Sequence, residues 1–259
     1  MSTERWRYLG VSVTGTSHQR RGQGCQDRFV IQPSTTGELI IGVADGAGSA
    51  QHAAKGAQLV VTSAVTAVST QLAKYQPASP KAWRDLIYHA FSTAQQTVFT
   101  HVSATETTLR DYSATLVLLV LTAEGAACGL IGDCAAVVED EEGQLVNLCP
   151  LQRGELANQT NFVARPKGLQ NLDIRLYTTA VRHAALFSDG LASLALNVAE
   201  NRPFAPFFTP LFAFADETTD QAQATADLAA FLDTERVNAR THDDKTLVLV
   251  THLADPRAR

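Results

Sequence analysis

Four aspartates stand at the ends of apolar runs that read as strands. Asp27 opens "DRFVIQ", Asp45 closes "LIIGVADG", Asp189 closes "AALFSDG", and Asp243, with Asp244, precedes "KTLVLV". A buried carboxylate left alone costs several kcal/mol or more, so each must be solvated, paired or bound to a cation. One Asp-Gly after a strand is ordinarily a turn, because both residues tolerate the backbone angles a turn needs. Four such ends, each joined to a strand apolar enough to lie inside a sheet, put four negative charges in a small volume if the sheets bring them together. Carboxylate and carbonyl oxygens are hard ligands, suited to Mg2+ or Mn2+ and poorly suited to zinc or copper. No H-E-x-x-H or C-x-x-C spacing competes among the 7 histidines and 4 cysteines. Two divalent ions about 3.5 to 4 Å apart lower the pKa of a shared water and supply hydroxide near neutral pH, which is the chemistry of phosphoester hydrolysis.

The elements that must position these residues come in blocks. Strands are expected over "YLGVSVTGTS", "DRFVIQ" and "LIIGVA", with "HQRRGQG" between the first two as a loop. Apolar residues at three- and four-residue intervals predict helices from about Ala50 to Leu72 and from Pro80 through "KAWRDLIYHAFSTAQQTVFTHV". Strands return in "SATLVLLVLT", "GAACGLIGDCAAVVED" and "GQLVNLCP", with "EDEEGQ" the most hairpin-like turn. The polar stretch Leu151 to Asn171 reads as a loop or flap, "IRLYTTA" and "HAALFSDG" as a further hairpin, and the phenylalanine-dense "PFAPFFTPLFAF" and "TDQAQATADLAAFLDTERV" as mainly helical core. Blocks of strands and helices support an α+β fold with antiparallel sheets over a parallel βαβ repeat. No internal repeat or linker divides the chain, so residues 1–259 are read as one domain.

Composition narrows the function. The chain has 45% hydrophobic and 18% charged residues, ordinary for a globular protein. A net charge of -5 without basic runs gives no footprint for nucleic acid. The opening "MSTERWRYLG" has no apolar signal core and the apolar runs are too short to span a bilayer, so a cytoplasmic protein without membrane attachment is expected. Cys25, Cys128, Cys134 and Cys149 are read as reduced packing residues, with no disulfide needed.

In order along nearly the whole chain, "CQDRF", "VADGAGS", "YSATLVLLV", "GLIGDCAAVV", "ALFSDGL" and "HDDKTLVLV" resemble the metal-dependent protein phosphatases of the 2C type; "GTSH" with "CQD", and "GELANQTNF", are most similar to the bacterial branch. The resemblance implies a four-layer α-β-β-α sandwich with two central antiparallel sheets, a single catalytic domain with a flap at 151–171, and a monomeric hydrolase acting on phosphoserine and phosphothreonine placed in protein substrates by a serine/threonine kinase. It implies two Mn2+ or Mg2+ ions. Asp45 would bridge them, the Gly46 carbonyl would take one, Asp189 and Asp243 would complete the other, and Asp27 would act through metal-bound waters, with neutral Gln26 where the eukaryotic pattern has Glu. Asp133 falls where some bacterial members bind a weaker third metal, with a hairpin-turn aspartate as the plain alternative. Asp244 stands where many members have Asn and would support the ligands without touching metal.

The departures are equally specific. The family's phosphate-gripping Arg has no clean counterpart, which leaves His18, favoured by its place after "GTS", or Arg20 and Arg21 to bind the substrate phosphate; His18 is also read as catalytic. Ala47 replaces a histidine that serves eukaryotic members as proton donor, a role that falls to water in preference to His52. A dinucleotide-binding loop at "VADGAGSAQHAAKG" fails because Gln51 stands where the motif needs glycine. A catalytically silent phosphoprotein scaffold of the same fold is the alternative to an enzyme, although all the core aspartates are present.

Overall fold

The computed structural model describes residues 5–149, 160–197 and 199–253. In chain order come β1 (Trp6–Val13), α1 (Thr16–Arg20), β2 (Arg28–Pro33), β3 (Leu39–Ala44), α2 (Ala53–Leu72) and α3 (Pro80–Ser103). Four strands follow, β4 (Leu116–Leu121), β5 (Ala126–Ile131), β6 (Ala135–Asp140) and β7 (Leu145–Asn147). Next are β8 (Asp173–Tyr177), β9 (Val181–Phe187), α4 (Ala192–Ala195) and a short ribbon of β10 (Leu196–Asn197) with β11 (Arg202–Pro203). The chain closes with α5 (Ala205–Glu217), α6 (Gln221–Leu232), α7 (Glu235–Asn238) and β12 (Lys245–His252).

Two five-stranded antiparallel sheets stack face to face, one ordered β1-β12-β9-β6-β7 and the other β2-β3-β4-β5-β8. Every residue of β3, β4 and β5 is buried. Alternation explains it: Ile41, Val43, Val117 and Leu119 face the other sheet, while Ile40, Leu116, Leu118 and Val120 face α2 and α3. The outer face of the other sheet is covered by α5 and α6, where Phe208, Leu211, Phe212 and Leu228 meet Leu9, Phe187, Leu247 and Leu249. The layers therefore run helix, sheet, sheet, helix, the expected α+β sandwich. Helix α3 starts where its sequence says it should, with Ser79 accepting a hydrogen bond from the Ala82 N–H at 3.2 Å and Pro80 in the first turn.

Three local expectations are corrected. The "HQRRGQG" loop begins inside a helix, since α1 runs Thr16–Arg20. The hairpin expected from "IRLYTTA" and "HAALFSDG" does not form: β8 pairs with β5 and β9 pairs with β12 and β6, in different sheets. Asp133 is not a hairpin-turn residue either, because β5 and β6 belong to opposite sheets and the chain crosses between them there. The hairpin at "EDEEGQ" is present, with Val137 opposite Asn147. Of the stretch read as a flap, residues 151–159 lie outside the described residues. The remainder is tied down: the Val163 N–H donates to the Ala114 carbonyl at 3.0 Å, and Gln95 Nε2 donates to the carbonyls of Val163 and Arg165.

Candidate active site

The strand ends converge. Asp45 leaves β3, Asp133 sits in the crossing from β5 to β6, and Asp189 follows β9; single carboxylate oxygens of these three lie within 4.8 Å of one another. Asp243 and Asp27 are close enough to act on them electrostatically: Asp243 raises the pKa of Asp133 and Asp189, and Asp27 that of Asp45 and Asp189. Asp133, which the sequence left open between a weaker metal ligand and a turn residue, joins Asp45 and Asp189 in the group, while Asp27 and Asp243 lie beside it.

Backbone packing fixes the convergence. Gly46 bridges to Ala114, and a Cβ on Gly46 would meet the Ala53 carbonyl oxygen at 2.5 Å, so only glycine lets α2 begin directly behind Asp45. At the other side, a Cβ on Gly190 would lie 2.0 Å from the Asp244 carbonyl oxygen. Glycine after Asp189 is what allows the Asp243–Asp244 turn to press against it. Thr115 locks Asp45 from the neighbouring strand: the Asp45 N–H donates to Thr115 Oγ1 at 3.0 Å, and the Thr115 N–H donates to the Asp45 carbonyl at 2.9 Å.

The electrostatics are those of a site built for cations. Burial first, then the carboxylates of Asp27, Asp189 and Asp133, push Asp45 well above the ordinary carboxylate range. Burial, with Asp133, Asp243 and Asp27, pushes Asp189 up to about 8 against the opposing Gly190 hydrogen bond. Asp27, buried at the base, is pushed up to about 6 by burial, an effect moderated by hydrogen bonds from Ser188 and Thr246. Thr246 Oγ1 donates to Asp27 Oδ2 at 2.8 Å, and Asp27 and Asp45 hydrogen-bond to each other. Asp133 Oδ2 accepts from Thr160 Oγ1 at 2.8 Å, while its Oδ1 is buried without a hydrogen-bond partner, as is Gln26 Oε1. Oxygen-only donors, mutual repulsion and orphaned buried oxygens fit a hard divalent cation.

The basic candidates lie on and beside α1. His18 is buried, with Nδ1 3.0 Å from Asp244 Oδ1 at an angle too poor for a hydrogen bond. Asp244 in turn accepts from the Gly15 N–H and the Gln26 N–H, each at 2.6 Å, so it stitches the first loop to the start of β12. Arg20 and Arg21 are exposed, on a helix anchored to the Asp243 turn by the Ser17 N–H donating to the His242 carbonyl at 3.0 Å. The His52 ring lies against Tyr112, with centroids 5.0 Å apart. Residues that carried no role in the sequence reading include Thr115, Thr160 and Lys245. Lys245 is fully buried, donates to Asn238 Oδ1 and lies near Asp233 and Asp244, an internal cation behind the acidic rim.

Layer order and an oxygen-only cluster at the sheet ends define the class, an α-β-β-α sandwich with a carboxylate site suited to hard cations. The chain belongs to the protein phosphatase 2C family, whose profile matches residues 14–233. Serine/threonine-protein phosphatase 3 of Escherichia coli (strain K12) is 34% identical over 250 residues, covering 94% of this chain and 97% of that protein. Among solved structures, a serine/threonine phosphatase from Staphylococcus aureus superposes with a TM-score of 0.64 at 12% identity, covering 96% of this chain and 95% of that one. RsbX in complex with magnesium superposes with a TM-score of 0.57 at 15% identity, covering 98% of each chain.

Proposed function

We propose that this protein hydrolyses phosphoserine and phosphothreonine esters in protein substrates, and that it does so with two Mg2+ or Mn2+ ions held at the sheet ends. The observation that carries the reading is the meeting of Asp45, Asp133 and Asp189 within 4.8 Å. Family membership and the name of the Escherichia coli relative support the reaction, and the magnesium in RsbX supports the cation type. The scaffold alternative has no support, since every carboxylate expected of the cluster is present.

Asp45, Asp189 and Asp243, with the Gly46 carbonyl and Asp27, would hold the two ions, and Asp133 a weaker third. Bound there, the ions supply charge neutralisation at the phosphoryl oxygens and make water nucleophilic near neutral pH. The chain's own residues do the rest. Bound cations would favour the ionised forms of Asp45 and Asp27, which burial and mutual repulsion otherwise disfavour. Thr246 Oγ1, donating to Asp27 Oδ2, would hold that carboxylate in place. The substrate phosphate would be gripped from the α1 side by exposed Arg20 or Arg21, the better bidentate partners, in preference to the His18 that the sequence favoured, which is buried against Asp244. A cytoplasmic, monomeric enzyme opposing a serine/threonine kinase completes the reading; no helix among the described residues is long and apolar enough to cross a membrane.

A phosphopeptide panel assayed with Mg2+, Mn2+ or chelator tests this. Release of phosphate that requires the metal, and falls at least about a hundredfold in Asp45→Asn, is expected. Undiminished turnover by a folded Asp45→Asn variant overturns the assignment.

A further inference from the structure

Cys128 and Cys149 face each other across the interior. Their Sγ atoms are 3.4 Å apart, and each residue is 1% exposed. Cys128 lies in β5, opposite Leu119 and Arg175, and belongs to one sheet. Cys149 stands two residues after β7, the edge strand of the other, its N–H donating to Asn147 Oδ1 at 3.0 Å. Both are members of the core between the sheets. The other two cysteines offer an internal comparison: Cys134 Sγ contacts Thr115 Oγ1 at 3.2 Å, and half-buried Cys25 contacts the Asp27 carbonyl. Neither touches a thiol.

We propose that Cys128 and Cys149 form a reversible disulfide that joins the two sheets, a covalent modification site separate from the carboxylate cluster. Closing the bond takes the sulfurs from 3.4 Å to the covalent distance of about 2.05 Å. Side-chain rotation of two residues already in contact covers a change of that size. The resting state is the dithiol, since the Cys149 contact and burial push the Cys128 thiol well above its ordinary value and keep thiolate scarce while the fold is closed. Access comes at the sheet edge. β7 has only three residues, all half-buried, and its ladder is to β6 alone, so it belongs to the part of the sheet that opens most cheaply. The oxidant is a hydroperoxide, small enough to enter. Cys149, deprotonated on opening, attacks hydrogen peroxide; the O–O bond breaks, an S–O bond forms and hydroxide leaves as water with the thiol proton. The Cys128 thiolate then attacks Cys149 Sγ, breaking the S–O bond, forming S–S and releasing a second water. Two thiols are oxidised by two electrons, and one peroxide is reduced to two waters. A dithiol reductant reverses the bond.

The full-length protein is exposed to hydrogen peroxide, alkylated under denaturing conditions and mapped by mass spectrometry, with thermal unfolding followed in parallel. The expected result is a peptide cross-linked through Cys128 and Cys149, lost on treatment with dithiothreitol, with Cys25 and Cys134 still alkylated. The closed loop should raise Tm by roughly 5 °C over the reduced protein. Cys149→Ser should give neither the cross-link nor the shift. The proposal is overturned if both thiols remain alkylatable, if Cys149 gains oxygens without cross-linking, or if the linkage joins Cys25 or Cys134. The wild-type map decides these outcomes even if the variant does not fold.

Discussion

Asp27 depends on a threonine three residues beyond Asp243. Thr246 Oγ1 donates to Asp27 Oδ2 at 2.8 Å and also meets Ser12 Oγ at 2.7 Å, while its N–H donates to Ser188 Oγ at 3.0 Å. Thr246→Val keeps the shape and removes the hydroxyl, leaving a buried carboxylate short of one donor. Denaturant unfolding of the metal-bound protein should show a loss of about 1 to 3 kcal/mol. Calorimetric titration should show Mn2+ affinity lowered about 10- to 100-fold; unchanged values in both experiments would mean that Thr246 plays no part in holding Asp27. Legibility at this scale followed chemistry. The aspartates could be picked out because a charge at the end of an apolar run needs an explanation. Thr160 on Asp133 and Lys245 on Asn238 could not be picked out, since their partners are 27 residues away in one case and on a different element in the other.

At the scale of elements, Gly56 in α2 makes a test in which two effects oppose each other. Alanine ordinarily stabilises a helix interior by about 0.5 to 1 kcal/mol relative to glycine. Here a Cβ would stand 2.4 Å from the Tyr112 carbonyl oxygen, which belongs to the segment leading through Ser113 and Ala114 to Thr115. The clash is with backbone and cannot be relieved by a rotamer, so the steric cost wins. Gly56→Ala should lower Tm by several degrees, and a rise in Tm would show that α2 is free to shift away. Most elements were legible because period and turn chemistry are local. Helices α2 and α3 announced themselves by three- and four-residue spacing, and β3, β4 and β12 by apolar runs. Partners were not legible, because a strand's sequence does not say which ladder it joins: β8 and β9 are neighbours in the chain and members of different sheets. Helix α1 was hidden by its length of five residues.

For the molecule as a whole, the acidic rim costs stability unless something neutralises it. In the metal-free protein Asp27 is raised from 3.8 to about 6 and Asp189 from 3.8 to about 8. Between the ordinary and the raised values the folded state holds more protons than the unfolded one, so stability falls as pH rises. The contribution of each group is fully present below the ordinary carboxylate value and is lost as pH passes about 6 for Asp27 and about 8 for Asp189. With chelator present, Tm should decline from pH 4 to pH 8, Asp189→Asn should flatten the decline, and Mn2+ should abolish most of it; a metal-free Tm that climbs across this window would contradict the sign. The fold's layers and the family resemblance were readable in advance because the motifs keep their order across the chain, while the central place of Asp133 emerged only when the crossing between sheets was seen. The proposed hydrolysis requires hard cations between these strand ends, and the most direct measurement is anomalous diffraction at the manganese edge from crystals grown with Mn2+. Two strong peaks in contact with Asp45, one also touching Asp189, are predicted. A cluster without manganese in a crystal that binds it elsewhere, or binds none, would contradict it.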